Sequence, residues 1–267
     1  MKPIIYWTIR QRKWSLVAWS TGVIFLTVMV MALYPSFRDQ AASFEQTFAD
    51  LPDAAKGLIS DTNDFLSPVG YLSSQLFYLT LPLVLGIFGI SLGAHIVARE
   101  ERDTTIELLL ARPVSRLQLI SAKALAALLM VGAVVLLNMI ATLVISAVVS
   151  IDVPLWNIAL ACLVNGLLVV VFGAVAFAVT MLGRGAKTAS VGFAALVSIG
   201  GYIISSLSNT VSWLELPAKA LPFHYYQPGE ILSGVFGLWN IVYLLGVVIL
   251  CGTISVIAFR RRDLASN

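Results

Sequence analysis

The sequence predicts an all-α polytopic membrane protein with six transmembrane helices, and three observations predict it. Of its 267 residues 59% are hydrophobic and only 12% charged, about half the charged share of a soluble domain, and the mean hydropathy is +0.91. Six stretches without Asp, Glu, Lys or Arg lie within 14–34, 71–94, 124–151, 155–182, 188–209 and 236–259. Each is long enough for the ~20 helical residues that cross a hydrocarbon core of ~30 Å. The charges are also segregated. Assigning the connecting segments alternately to two sides puts 14 of the 17 basic residues together with five of the 14 acids, and three basic residues with the other nine acids. Lys and Arg in short loops favour the cytoplasm, so both termini are expected there.

The elements follow in order. Residues 1–13 include "PIIYWTIRQRK" (3–13), aromatics and bases before the first span. Two readings stay open: a short helix in the headgroup layer, or a plain positive anchor. The apolar run at 14–34 carries Trp14 and Trp19 at its start and only a weak cleavage motif at Val30-Met31-Ala32. It is read as a retained span, not a signal peptide. Segment 35–70 is the longest polar stretch. Phe37, Phe44, Phe48 and Leu51 share one helical face, Pro52 ends it, and Asp53–Ile59 suits a second short helix. A capping subdomain over the span ends is the reading preferred to a ligand site.

The second span, 71–97, contains Pro82, which suggests a kink, and Gly86, Gly89 and Gly93, whose spacing admits a close helix neighbour. His95 at its edge is read as hydrogen-bonded locally. Spans 116–151 and 154–182 meet at the turn Ile151-Asp152-Val153-Pro154. Spans 154–182 and 188–209 meet at Gly183-Arg184-Gly185-Ala186-Lys187, which fails as a phosphate loop because Ala186 and Met181 stand where glycines are needed. Segment 210–235 holds Trp213, Tyr225, Tyr226 and three prolines before the last span, 236–260. It reads either as an interfacial aromatic belt or as a broken, partly re-entrant segment at the mouth of a pathway. Cys162 and Cys251 lie inside spans and read as small buried residues. Polar candidates for a pathway are Gln75, Tyr78, Asn138 and Asn165 in the spans, with Tyr225 and Tyr226 at the mouth.

One segment breaks the apolar pattern. "AREERDTTIELLLARPVSRLQLISAKA" packs nine charges between Arg99 and Lys123. Thr104 with Glu107, and Ser115 with Gln118, each fit a capping box, with Pro113 between them. The first box opens a helix from Thr105 to about Arg112, within a region at 98–115, and the second opens the helix that becomes span three. A helix of about two turns is not stable alone in water, so it must pack on something. Ile106, Leu109 and Leu110 line one face, with Leu108 beside it. Lying leucine-down on the inner membrane surface is one option. The four acids Glu100, Glu101, Asp103 and Glu107 fit that anionic surface poorly and suit a protein groove better.

That segment resembles the cytoplasmic loop of ATP-binding-cassette (ABC) type 2 transporter permeases. The matching positions are Glu100, Glu101, Arg102, Thr104 or Thr105, Glu107, Leu108, Leu109, Pro113, Ser115, Arg116 and Lys123. Asp103 stands where relatives often have Gly, which loosens the helix start by a residue. "FLSPVGYLSSQLF" and "LPFHYYQPGEIL" are similar to stretches of six-span members as well. The resemblance implies that the short helix from Thr105 to about Arg112 is a coupling helix seated in a separate ATPase, with Glu100, Glu101, Arg102, Thr104, Thr105, Ile106, Glu107, Leu108, Leu109, Leu110 and Arg112 as the coupling residues. It also implies that 1–13 is an interfacial elbow. The assembly implied is two six-span subunits with two ATPase subunits; ATP and Mg belong to the ATPase, so this chain has no cofactor and is not an enzyme. A homodimer is simpler than a heterodimer. The family exports drugs and antibiotics, lipids, polysaccharides, peptides or ions, and uncharged spans favour an amphipathic substrate. The expected location is a prokaryotic cell membrane, among lipid, with no nucleic acid partner.

Rivals come from other classes. An ion-coupled secondary transporter needs intramembrane carboxylates, histidines or lysines, which the charge-free stretches lack. A membrane enzyme needs a convergent His, Asp or Cys cluster. A non-transporting, ABC-associated assembly or sensor subunit stays open.

Overall fold

The computed structural model describes residues 1–39, 51–59, 67–96, 116–183 and 186–261, and the expected coupling segment 98–115 lies outside them. Among the described residues six helices are long and apolar enough to cross a membrane, and no strand occurs. They run Lys13–Asp39, Pro68–His95, Leu117–Val149, Leu155–Leu182, Thr188–Leu207 and Leu238–Arg260, called spans one to six below. Spans two and four form the centre, with 67% and 61% of their apolar windows buried, against 17% for spans one and six. Their apolar side chains have each other to pack on; those of the peripheral spans, such as Phe25, Leu136, Val144 and Ile249, stay exposed. Such a surface is stable only against lipid.

The alternation of spans defines two ends. The proximal end gathers the N-terminal helix Lys2–Gln11, His95, the start of span three, Leu182 and Arg260. The distal end gathers the short helices of 51–59 and 212–233. Exposed Tyr6, Trp7 and Trp14 mark the proximal rim, and exposed Trp156, Trp213 and Trp239 the distal one. Amphipathic rings at two levels are the pattern of a bilayer's two interfaces. The N-terminal helix packs on the start of span three. Its Thr8 is buried and donates to the Ile4 carbonyl at 2.8 Å. Lys13 lies 5.5 Å above the Trp14 ring.

Glycines set the centre. Spans two and four run parallel, and Gly89 and Gly93 of span two lie on the backbone of Val169 and Gly173 in span four. A methyl group on Gly89 would stand 2.6 Å from the Val169 carbonyl oxygen. Span three approaches span four through Gly166, where a methyl would meet Val135 Cγ1 at 2.8 Å. Without water between helices, such close backbone contact is what holds membrane helices together.

Span two is not one regular helix. Pro68–Tyr71 is α-helical, capped by Ser67 Oγ, which accepts from Gly70 N–H at 2.9 Å; Leu72–Phe77 widens to a π-turn, and the α-helix resumes at Thr80. Pro82 therefore lies in the first turn of the resumed helix, where a missing N–H costs nothing. The irregularity precedes the proline. Span five contains a second π-turn, Leu196–Gly200.

The connections differ in length. Spans three and four join through five residues, 150–154, with Ser150 left-handed at φ 55. Spans four and five are as close in sequence, across 183–187. Spans one and two, two and three, and five and six are separated by far longer segments.

Candidate functional site

Polar side chains inside an apolar bundle are costly, and here most of them gather toward the distal half. Span three carries Asn138, Thr142 and Ser146 at successive turns, all buried. Thr142 and Ser146 each return their hydroxyl to the carbonyl four residues back, at 2.8 and 2.7 Å. Asn138 reaches outward instead, and its Oδ1 accepts from Thr27 Oγ1 of span one at 2.9 Å. Span one is held further by Tyr71, whose hydroxyl donates to the Val30 carbonyl at 2.7 Å.

Asn165 of span four is different. It is 1% exposed, and neither its amide nitrogen nor its oxygen has a hydrogen-bond partner. Leaving such groups unpaired costs about 1–3 kcal/mol each, so an isolated amide here demands a reason beyond packing.

The distal end is closed by a cluster of tyrosines. Tyr78 stands just past the π-turn of span two, buried. Its hydroxyl donates to the Gly57 carbonyl at 2.9 Å and shares a hydrogen bond with Ser206 Oγ of span five at 2.8 Å. Tyr202, one turn earlier in span five, donates to the Leu58 carbonyl. The helix Asp53–Ile59 is thus tied by its own carbonyls to spans two and five. Phe223 packs edge-on against Tyr78, Tyr202 and Tyr226, with centroids 6.5, 5.4 and 5.8 Å away.

Tyr226, 1% exposed, donates to the Phe77 carbonyl at 3.0 Å. That carbonyl lies at the π-turn, where the regular ladder is interrupted, so segment 210–235 supplies a partner to the break in span two. Thr80 Oγ1 supplies another, donating to the Gln75 carbonyl at 2.8 Å. The rest of the segment is fastened to span six. Tyr225 stacks on Tyr243, centroids 3.8 Å apart and planes 18° from parallel. Tyr225 donates to the Lys219 carbonyl at 3.0 Å and Tyr243 to that of Ala220 at 2.9 Å. Asn157 at the start of span four donates to the Leu232 carbonyl at 2.9 Å. Gly234, at φ 79, ends the helix Pro228–Ser233 in a left-handed turn.

Glu215, Lys219 and His224 of this segment influence one another. Glu215 and Lys219 form an exposed i,i+4 pair at 2.8 Å. The hydrogen bond between them holds the Glu215 carboxyl below its usual value and the Lys219 ammonium above its own. Burial first, and then Lys219, hold the His224 imidazole below 6.5, against a smaller pull from Glu215.

Of the six polar residues singled out from the sequence, the structure brings Tyr78 and Tyr226 into one cluster through Phe223. Tyr225 sits beside it on span six, and Gln75 lies half-buried on the π-turn. Asn138 engages span one, and Asn165 stands alone. The eleven expected coupling residues between Glu100 and Arg112 lie outside the described residues. Sequence reasoning missed Thr27, Tyr202 and Phe223. Ser198, Tyr202 and Ser206, buried at successive turns of span five, form a polar stripe that period-four inspection would have found. At the proximal end His95 Nδ1 donates to the Ser91 carbonyl at 2.8 Å. Lys123 is 2% exposed in the first turns of span three, where an ammonium is tolerated only among compensating groups. Among the described residues no three of His, Cys, Asp and Glu converge as a metal site requires.

Compared with known proteins, residues 7–264 match the family described as "ABC-2 family transporter protein". No curated protein matches the chain.

Proposed function

The chain belongs to the ABC-2 transporter family, and on that premise we propose that it is the permease subunit of an ABC exporter. It is a multi-pass membrane component of a transporter whose family works with ABC ATPase partners. On our reading two copies of it line the pathway, and two ATPase subunits bind beneath them. Both termini and the basic proximal end face the cytoplasm of a prokaryotic cell. ATP and Mg act on the partner, and this chain supplies no catalytic residue.

The observation that carries this reading is the family match over nearly the whole chain, joined to an acid-rich segment between two spans whose sequence predicts a short helix. Residues Glu100, Glu101, Arg102, Thr104, Thr105, Ile106, Glu107, Leu108, Leu109, Leu110 and Arg112 form the coupling region. Span two leads from that region to the π-turn and its tyrosine cluster, so a pull at the proximal end reaches the distal closure along the helix Thr80–His95. The cargo is amphipathic, because the polar groups buried in the spans are mostly hydroxyls and amides. Among the pathway candidates, Asn165 and Gln75 have side chains free to meet it, whereas Tyr78, Tyr225 and Tyr226 shape the distal closure.

Co-purification with the ATPase tests the proposal. Glu107→Lys or Leu109→Asp should leave the six-span protein folded but abolish assembly and substrate-stimulated hydrolysis. Intact, ATP-responsive complexes from both variants would refute it.

A further inference from the structure

A cleft of about 520 Å³ opens between spans three and six, floored by spans two and four, in the proximal half of the bundle. Nothing in the transport reading requires it. We propose that this cleft holds one acyl chain of an anionic phospholipid, as a resident part of the fold and not as cargo.

Size selects the occupant. An apolar cavity of ~150 Å³ accepts one benzene ring, so this one has room for about twenty carbons, a single fatty chain. Along span three it runs from Val131 to Ile120, about 16 Å of helix. That is half of a ~30 Å hydrocarbon core, one leaflet.

Chemistry selects it again. The walls are almost wholly hydrocarbon, and Thr253 spends its hydroxyl on the Ile249 carbonyl at 2.8 Å. Gly252 contributes the open side, with nothing within 4 Å of where a Cβ would stand. At the proximal mouth the stripe Gly252, Val256 continues one turn on to Arg260, which is exposed. Arg10 and Lys13 are exposed at the same end. An acyl chain in the cleft thus brings its phosphate to the level of a guanidinium, which favours an anionic headgroup over a zwitterionic one.

Native mass spectrometry of the full-length protein, purified in mild detergent from membranes containing phosphatidylglycerol and phosphatidylethanolamine, tests this. The wild type should retain one phosphatidylglycerol per chain. Gly252→Phe, which fills the cleft, should retain none, and Gly246→Phe, on the exposed side of the same span, should retain it. Arg260→Gln should lower the preference for phosphatidylglycerol over phosphatidylcholine in reconstituted vesicles about fivefold, the share of one basic residue at an anionic surface. A wild type that keeps no phospholipid, or a Gly252→Phe variant that keeps as much as Gly246→Phe, overturns the proposal. So does a spontaneous interchain disulfide in Gly252→Cys, which would place a second copy there.

Discussion

Gly93 of span two lies so close to Gly173 of span four that a single methyl group on Gly93 would overlap the Gly173 carbonyl oxygen. Backbone cannot give way as a side-chain tip can. Gly93→Ala should therefore cost about 1–3 kcal/mol, as overpacking does, and lower the apparent Tm by about 2–4 °C per kcal/mol. Gly132→Ala, at a position with open space, should not. Thermal unfolding in detergent distinguishes them, and equal melting temperatures would contradict the contact.

Tyr226→Phe removes the hydroxyl that donates to the Phe77 carbonyl and leaves that group buried at the π-turn. The expected loss is about 1–3 kcal/mol, the cost of an orphaned buried acceptor. Tyr225→Phe, whose bond is exposed, should change stability by less than about 0.5 kcal/mol. If the π-turn transmits motion, Tyr226→Phe also lowers transport per ATP hydrolysed in the reconstituted complex.

Asn165→Leu should leave stability unchanged or raise it, since it removes a buried amide without partners and keeps the volume. Asn138→Leu should do the opposite, because it strands the Thr27 hydroxyl in the interior. Transport by a stable Asn165→Leu protein then reports on function alone. We expect it to fall; unimpaired flux would remove Asn165 from the pathway.

His224 gives the distal segment a pH dependence of predictable sign. Its imidazole is held below 6.5 in the fold, chiefly by burial, so an unfolded segment takes up the proton first. Stability is full above about 6.5 and is lost as pH falls below it. Amide exchange across 210–235 should accelerate on acidification through that window, and His224→Gln should flatten the response. Equal acceleration in both proteins would assign the effect elsewhere.

Much of the architecture was legible. Six apolar runs of sufficient length leave the chain no other way to satisfy its backbone in lipid, and the spacing of Gly86, Gly89 and Gly93 announced a close neighbour. Pro82 misled about the irregularity of span two: a proline marks a break only within a helix, and this one opens a helix whose predecessor had already widened. The tyrosines of 210–235 carried two meanings, because rings at an interface and rings in a buried cluster look alike in sequence. What separates them is the partner carbonyl on Phe77, Lys219 or Ala220, fixed only once the chain is folded. Asn165 was identifiable as polar, but its lack of a partner was not, since isolation depends on neighbours from other spans.

The uneven spacing between spans has a mechanical corollary. Five residues can reach at most about 17 Å, so the leashes at 150–154 and 183–187 keep spans three, four and five travelling as one block, in a zigzag. Span two, pressed at Gly89 and Gly93 onto the backbone of span four, is geared to that block and must draw it along whenever it shifts.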